Sequence, residues 1–318
     1  MKDTEGALVG ERYRLDQPIG RGRAGIVWLA FDTMLHRTVA AKRAYLDPNL
    51  DPEQARETAL AAAKRAMKVV HPSAVTLYDA LREGDDVWLI MEYVPSRNMA
   101  EFLYEYGTLT PEQAGYLGAA LGAALASAHG SGVVHGAVEP GNVLLADDGG
   151  VKLTDIGVHG GATDSAYLAP EVKRGGAPTT QSDAYALGAV LFRAVEGAPP
   201  FGPEGNDDPV VPTRSGPLTA ALEKLLRAEP DLRPTLADTV TALRAVSKGR
   251  QTGFVPPTAP AMPTVPVMPR PPRVAPAPAA MGPAAASSQT SSSTRLLPWV
   301  LAALVVALVV IVVVVVAL

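Results

Sequence analysis

Gly20, Gly22 and Gly25 form a GxGxxG run followed by Val27. Glycines at that spacing let a backbone approach phosphate oxygens closely, because no Cβ intervenes. The run alone is shared with dinucleotide-binding folds, where a helix follows it. Here residues 26–31, IVWLAF, are β-branched, aromatic and apolar, which reads as a strand. Residues 12–18 before the glycines also alternate. Strand, glycine loop and strand make a hairpin whose backbone can lie over phosphates. Residues 38–43, TVAAKR, read as a further strand with Lys42 near its end. A lysine there is ordinarily just solvated. The glycine hairpin before it favours a role in meeting phosphate charge.

Further motifs follow in order. Residues 88–94 read WLIMEYV and residues 134–145 read VHGAVEPGNVLL. Residues 147–150, DDGG, are a hairpin-turn signal, and the strand after them runs into Asp155-Ile156-Gly157. Ala169-Pro170-Glu171, the stretch DAYALG from Asp183 to Gly188, and Leu232-Arg233-Pro234 come later. In this order and spacing, residues 10–247 resemble the bacterial membrane-anchored Ser/Thr protein kinase family. The resemblance implies an α+β, two-lobe protein-kinase fold. The small lobe, about 10–94, would be a mostly antiparallel sheet with one helix; the large lobe, about 98–247, would be mainly helical. It also implies roles. Gly20, Gly22 and Gly25 would cover phosphates, with Lys42 on the α- and β-phosphates. Val27 and Ala40 would roof an adenine, and Leu144 would floor it. Met91 would be the gatekeeper, with Glu92 and Val94 offering backbone groups to the base. Asn142 and Asp155 would hold Mg²⁺, so the implied cofactor is ATP with Mg²⁺. Arg233 would pair with Glu171.

Against this stand several departures. Ala137 occupies the position of the family's catalytic Asp and can neither orient a hydroxyl nor accept its proton. Loss of a positioned base costs on the order of 10²–10⁴ in rate. Glu139 replaces a Lys and inverts the charge facing the migrating phosphoryl group. Gly136 replaces an Arg, the segment from Asp155 to Glu171 is short, and Asp164 stands where the family has a supporting Thr. Counting back from His71, Ala62 replaces the helix Glu that would pair with Lys42, unless Glu57 substitutes in a shifted register; without it Lys42 is expected to be held less firmly. These losses predict a catalytically inactive homologue, a pseudokinase serving as a signalling scaffold. It would be either a switch set by bound nucleotide or a surface with a vestigial pocket. The alternative is a divergent active kinase with Glu139 or Asp164 as base. In its loop losses the chain is similar to membrane pseudokinases associated with lipid II flippase and cell-wall control.

The rest of the chain sets where such a domain would work. It has 318 residues, no Cys and a net charge of −4, which excludes a disulfide framework and implies no broad nucleic-acid affinity. Residues 248–295 are rich in Pro, Ala, Ser and Thr, have no periodic apolar face, and predict a disordered, semi-rigid tether. Residues 296–318 carry no charge and as a helix would reach ~34 Å, enough for a bilayer core, so one transmembrane helix is expected rather than a buried core helix. Pro298 suits its first turn and Trp299 the interface. Arg250, Arg270, Arg273 and Arg295 precede it, which predicts a single-pass cell-membrane protein with its folded unit cytoplasmic. Nothing follows Leu318, so the expectation is a tail anchor or a missing outer domain. Thr252, Thr258, Thr264, Thr290 and Thr294 make the tether either a spacer or a phosphorylation platform. An active Ser/Thr kinase and a phospho-Thr-binding protein are then the expected partners.

Overall fold

The computed structural model describes residues 4–247, apart from 23, 24, 159, 161, 162, 204 and 206–208. The expected tether, 248–295, and the expected membrane helix, 296–318, lie outside the described residues. Among those described, no helix is long and apolar enough to cross a membrane.

The small lobe is built on strands β1 (Leu8–Val9), β2 (Tyr13–Gly22), β3 (Gly25–Asp32) and β4 (Arg37–Arg43), helix α1 (Pro52–Ala66), and strands β5 (Leu77–Glu83) and β6 (Asp86–Glu92). The strands form an antiparallel sheet in the order β1-β2-β3-β4-β6-β5. Side chains alternate across it with period two. Val39, Ala41, Trp88 and Ile90 pack on one face with Tyr13, Leu15 and Trp28. Ala40, Leu89 and Met91 pack on the other, against Ala63 and Ala66 of α1. Lys42 follows Ala40 by two residues and so shares the α1 face. Pro18 is tolerated in β2 because the register slips there. Asp51 caps α1 by accepting from Glu53 N and Gln54 N, and Pro52 opens its first turn.

The large lobe begins with β7 (Ser96–Asn98), α2 (Met99–Tyr106) and α3 (Pro111–Gly130). Strands β8 (Val143–Ala146) and β9 (Val151–Leu153) follow, with β8 pairing to β7 and to β9. Then come α4 (Pro170–Lys173), α5 (Thr180–Glu196), α6 (Thr219–Leu225) and α7 (Leu236–Val246). Thr110 with Gln113, and Thr179 with Ser182, form reciprocal caps on α3 and α5. A Cβ on Gly118 of α3 would lie 2.7 Å from Leu191 and 2.8 Å from Leu243. Glycine there lets α3 sit close to both α5 and α7. Two edges differ from expectation. The sheet starts at Leu8, before residue 10, because a two-residue strand shows no alternation. Ser96 and Arg97, which fall between the expected bounds of the two lobes, pair with β8 alongside Asn98 and join the large lobe.

Candidate active site between the lobes

The glycine run closes β2 and opens β3, with Gly20 opposite Val27 and Gly22 opposite Gly25. Gly25 has φ 123°, a conformation L side chains rarely adopt, so backbone geometry rather than space requires glycine there. Lys42 pairs with Val27 on one side and Leu89 on the other. Ala40 lies opposite Met91, so those two expected adenine contacts sit together. Glu92 is tied by its side chain to Lys152 Nζ at 2.9 Å and by its N–H to Thr76 O. The Val94 carbonyl accepts from Ser96 Oγ at 2.8 Å. Leu144 lies half-buried on β8, opposite Lys152.

Lys42 Nζ lies 2.5 Å from Asp155 Oδ1, joining the two lobes. This departs from the expected loosely held lysine. Its counter-charge comes from the large lobe instead of α1. Ala62 faces inward, lining a cavity of about 240 Å³ with Leu89, Thr58 and Val158, while Glu57 is exposed and does not substitute. Burial acts to raise the Asp155 pKa, but the charge and hydrogen bond of Lys42, helped by His135 and Thr154, prevail and hold it below the ordinary value. Asp155 is therefore the anion at neutral pH. It has φ 65°, a left-handed conformation uncommon outside glycine, and such strain concentrates at functional sites. Gly157 also has positive φ, and a Cβ there would meet Val133 at 2.5 Å. Ile156 is buried in the large-lobe core and points no chemistry at the cleft.

The loop 135–142 is pinned from below. Asp183, 1% exposed, accepts from His135 N at 2.8 Å, from Gly136 N at 2.8 Å and from the His129 ring at 2.7 Å. Ala137 N–H donates to His135 Nδ1 at 3.2 Å, which places the ring proton on Nε2, where it donates to Thr154 O at 3.0 Å. Gly136 has φ 77°. Asn142 Nδ2 donates to Ala137 O at 2.8 Å, so Oδ1 is the amide atom turned to other partners. Asn142 and Asp155 thus offer two oxygen donors to a small divalent cation, which suits Mg²⁺. Among the described residues there is no cluster of three or more His, Cys, Asp or Glu that could hold a metal. Glu139 does not stand alone facing the cleft: its Oε2 accepts from Asp164 N at 3.3 Å. Arg233 meets Glu171 at 2.6 and 2.8 Å, as the resemblance implies. Sequence reasoning missed the anchoring roles of Asp183 and His135. An acid in the first turn of an otherwise apolar helix was the available signal.

The protein kinase domain family model matches residues 13–243. The serine/threonine-protein kinase PkaA of Streptomyces coelicolor is 32% identical over 276 residues, covering 76% of this chain and 51% of that protein. PknA of Mycobacterium tuberculosis, named a serine/threonine-protein kinase, is 33% identical over 261 residues, covering 76% and 58%. A probable serine/threonine-protein kinase, PknB of Corynebacterium glutamicum, is 34% identical over 212 residues, covering 61% and 33%. The chain thus spans between a third and somewhat over half of these relatives' lengths. The crystal structure of the M. tuberculosis PknI kinase domain superposes with a TM-score of 0.64 at 22% identity, covering 76% of this chain and 99% of that one, which shows the fold.

These findings overturn the expectation of an inactive homologue. The matching domain and the relatives' names point to a kinase. The physical reason is one of weight. Ala137 removes a base worth about 10²–10⁴ in rate, from a reaction in which positioning and charge stabilisation supply most of the acceleration. A match across both lobes, on a fold shared with a solved bacterial kinase domain, makes the assignment: the chain belongs to the protein kinase family, among its bacterial Ser/Thr members.

Proposed function

We propose that the chain is a divergent but active Ser/Thr protein kinase that transfers the γ-phosphoryl group of ATP to a protein hydroxyl. The observation that carries this is the Lys42–Asp155 pair, which sets a phosphate-binding cation beside a metal-binding anion at the lobe junction. The backbone from Gly20 to Gly25 would cover the phosphates, and Lys42 would take the α- and β-phosphates. Adenine would lie between Val27 and Ala40 above and Leu144 below, against Met91, Glu92 and Val94. Asn142 and Asp155 would hold Mg²⁺, which neutralises charge building on the transferring group. Incubation of the purified full chain with Mg²⁺ and γ-labelled ATP should put label on Ser or Thr of a test protein. Lys42→Met should abolish that label; label that persists unchanged in Lys42→Met contradicts the reading.

Membrane attachment through 296–318 belongs to the same proposal, supported by the charge-free run and the arginines before it. Extraction of the full chain from membranes by alkaline carbonate would contradict it. The tether threonines are proposed as sites modified by an active Ser/Thr kinase and bound by a phospho-Thr reader, on the strength of their number and of the Pro- and Ser-rich sequence around them.

A further inference from the structure

Lys152 belongs to neither the phosphate-facing nor the metal-facing set, yet its charge is held at the junction of the lobes. It lies on β9 between Val151 and Leu153, which are buried in the large-lobe core. Alternation turns Lys152 to the other face of that small sheet, where it stands opposite Leu144. From there Lys152 Nζ reaches Glu92 of the small lobe, 2.9 Å from Oε1 and 3.0 Å from Oε2. One ammonium thus engages both carboxylate oxygens. Oε2 also accepts from Thr76 N at 3.2 Å, and Glu92 N donates to Thr76 O at 2.8 Å.

Three segments of the chain meet in this knot. Glu92 ends β6 and precedes the connection to β7. Thr76 lies in the segment that follows α1, and that segment is bonded to β9 in its turn. Val75 N donates to Leu153 O and Leu153 N to Ser73 O, both at 2.9 Å. Beyond Lys152, β9 runs on towards Asp155. Residues at the ends of elements between two lobes are where hinge motion is absorbed, and relative motion is the default there. Here backbone bonds and an ion pair restrain it. The backbone bonds do not depend on which side chains are present; the ion pair does. Its two side chains are 21% and 25% exposed, so salt screens it less than a pair in open solvent.

We propose that Lys152 is a positioning residue whose ion pair with Glu92 fixes the backbone of residues 92–94 in the geometry that meets a nucleotide base. This rests on the nucleotide-binding part of the kinase reading above. Without the pair, that backbone holds the competent geometry for only a fraction of the time, and affinity falls by that fraction. Lys42, Asn142 and Asp155 would hold the phosphate end of the nucleotide independently of Lys152. Loss of the pair therefore weakens binding and leaves transfer from the bound state nearly as it was.

The test uses the full chain as wild type, Lys152→Met and Lys152→Arg. Met keeps the length and apolar stem of the side chain, and Arg keeps the charge. Mg·ATP and Mg·GTP are titrated calorimetrically, and kcat is measured with labelled ATP. The two nucleotides share their phosphates and differ at the base edge that residues 92–94 would meet. Lys152→Met should raise the Kd for Mg·ATP by about 3–10-fold, narrow the preference for ATP over GTP, and leave kcat within about twofold of wild type. Lys152→Arg should bind Mg·ATP with a Kd less than about threefold above wild type. A Kd in Lys152→Met that rises less than threefold overturns the proposal, as does a loss in Lys152→Arg equal to that in Lys152→Met. Equal losses for ATP and GTP, or a kcat that falls along with affinity, overturn it in favour of a structural role. A wild type that binds Mg·ATP and transfers nothing removes the kinase reading alone, since the affinities still decide this proposal. A wild type that binds no nucleotide overturns both.

Discussion

Lys42 and Asp155 stand 113 residues apart in sequence, which is why their pairing was not legible there. Local counting reached Ala62, and the structure does turn Ala62 inward. What counting could not reach was the other lobe's carboxylate. Removing one member of such a sheltered pair leaves the other charge uncompensated. Asp155→Ala should therefore lower stability by about 1–3 kcal/mol in urea unfolding, and it should abolish Mg²⁺-dependent ATP binding. An unchanged midpoint would mean that the pair is solvent-screened and adds nothing. Asp183 illustrates the opposite limit. Its buried carboxylate satisfies three donors at once, so Asp183→Ala should cost about 2–4 kcal/mol. Asp183→Asn should cost less, since the amide oxygen still accepts. Equal losses in the two variants would contradict the hydrogen-bonding account.

At the scale of elements, the strands that carry the site were the legible part. Residues 38–43 and 88–92 carry short apolar runs that read as strands, and both lie within strands of the sheet. Ser96–Asn98 was not legible, because three polar residues carry no pattern and their partner β8 lies far along the chain. The turn after β3 is held by Asp32, which is fully buried. It meets Arg12 through two contacts of 2.7 Å and accepts from Met34 N and Leu35 N at 3.1 Å. The Arg12 hydrogen bond, chiefly, lowers the Asp32 pKa from 3.8 to about 2. A depressed carboxylate stabilises the fold above its unfolded pKa and loses that contribution as pH falls through the folded value. Asp32 should then contribute at most about 2 kcal/mol at neutral pH, lost between about pH 4 and pH 2. Asp32→Asn should flatten the acid limb of the stability curve in that window, and an unaltered limb would contradict the assignment. In the large lobe, Gly118→Val should overpack the contact of α3 with Leu191 and Leu243, costing about 1–3 kcal/mol in thermal unfolding.

For the whole molecule, the residues proposed to hold nucleotide come from both lobes, so bound nucleotide should stabilise them together. Ligand at a hundredfold excess over its Kd adds about 2.7 kcal/mol, so Mg·ATP should raise the melting temperature of the full chain and leave that of Asp155→Ala unchanged. The two-lobe fold was legible because its motifs occur in order over most of the chain. The expectation of inactivity, which weighed Ala137 together with Glu139, Gly136, the short segment from Asp155 to Glu171 and Ala62, did not survive the match of the whole domain to the kinase family. The most direct measurement is the stoichiometry of the reaction itself. ADP released and phosphate incorporated into Ser or Thr are counted in one sample of full chain, Mg·ATP and acceptor protein. The account predicts equal amounts of both, rising together over time and absent in Lys42→Met. Neither product above the Lys42→Met background, with ATP demonstrably bound, would contradict it.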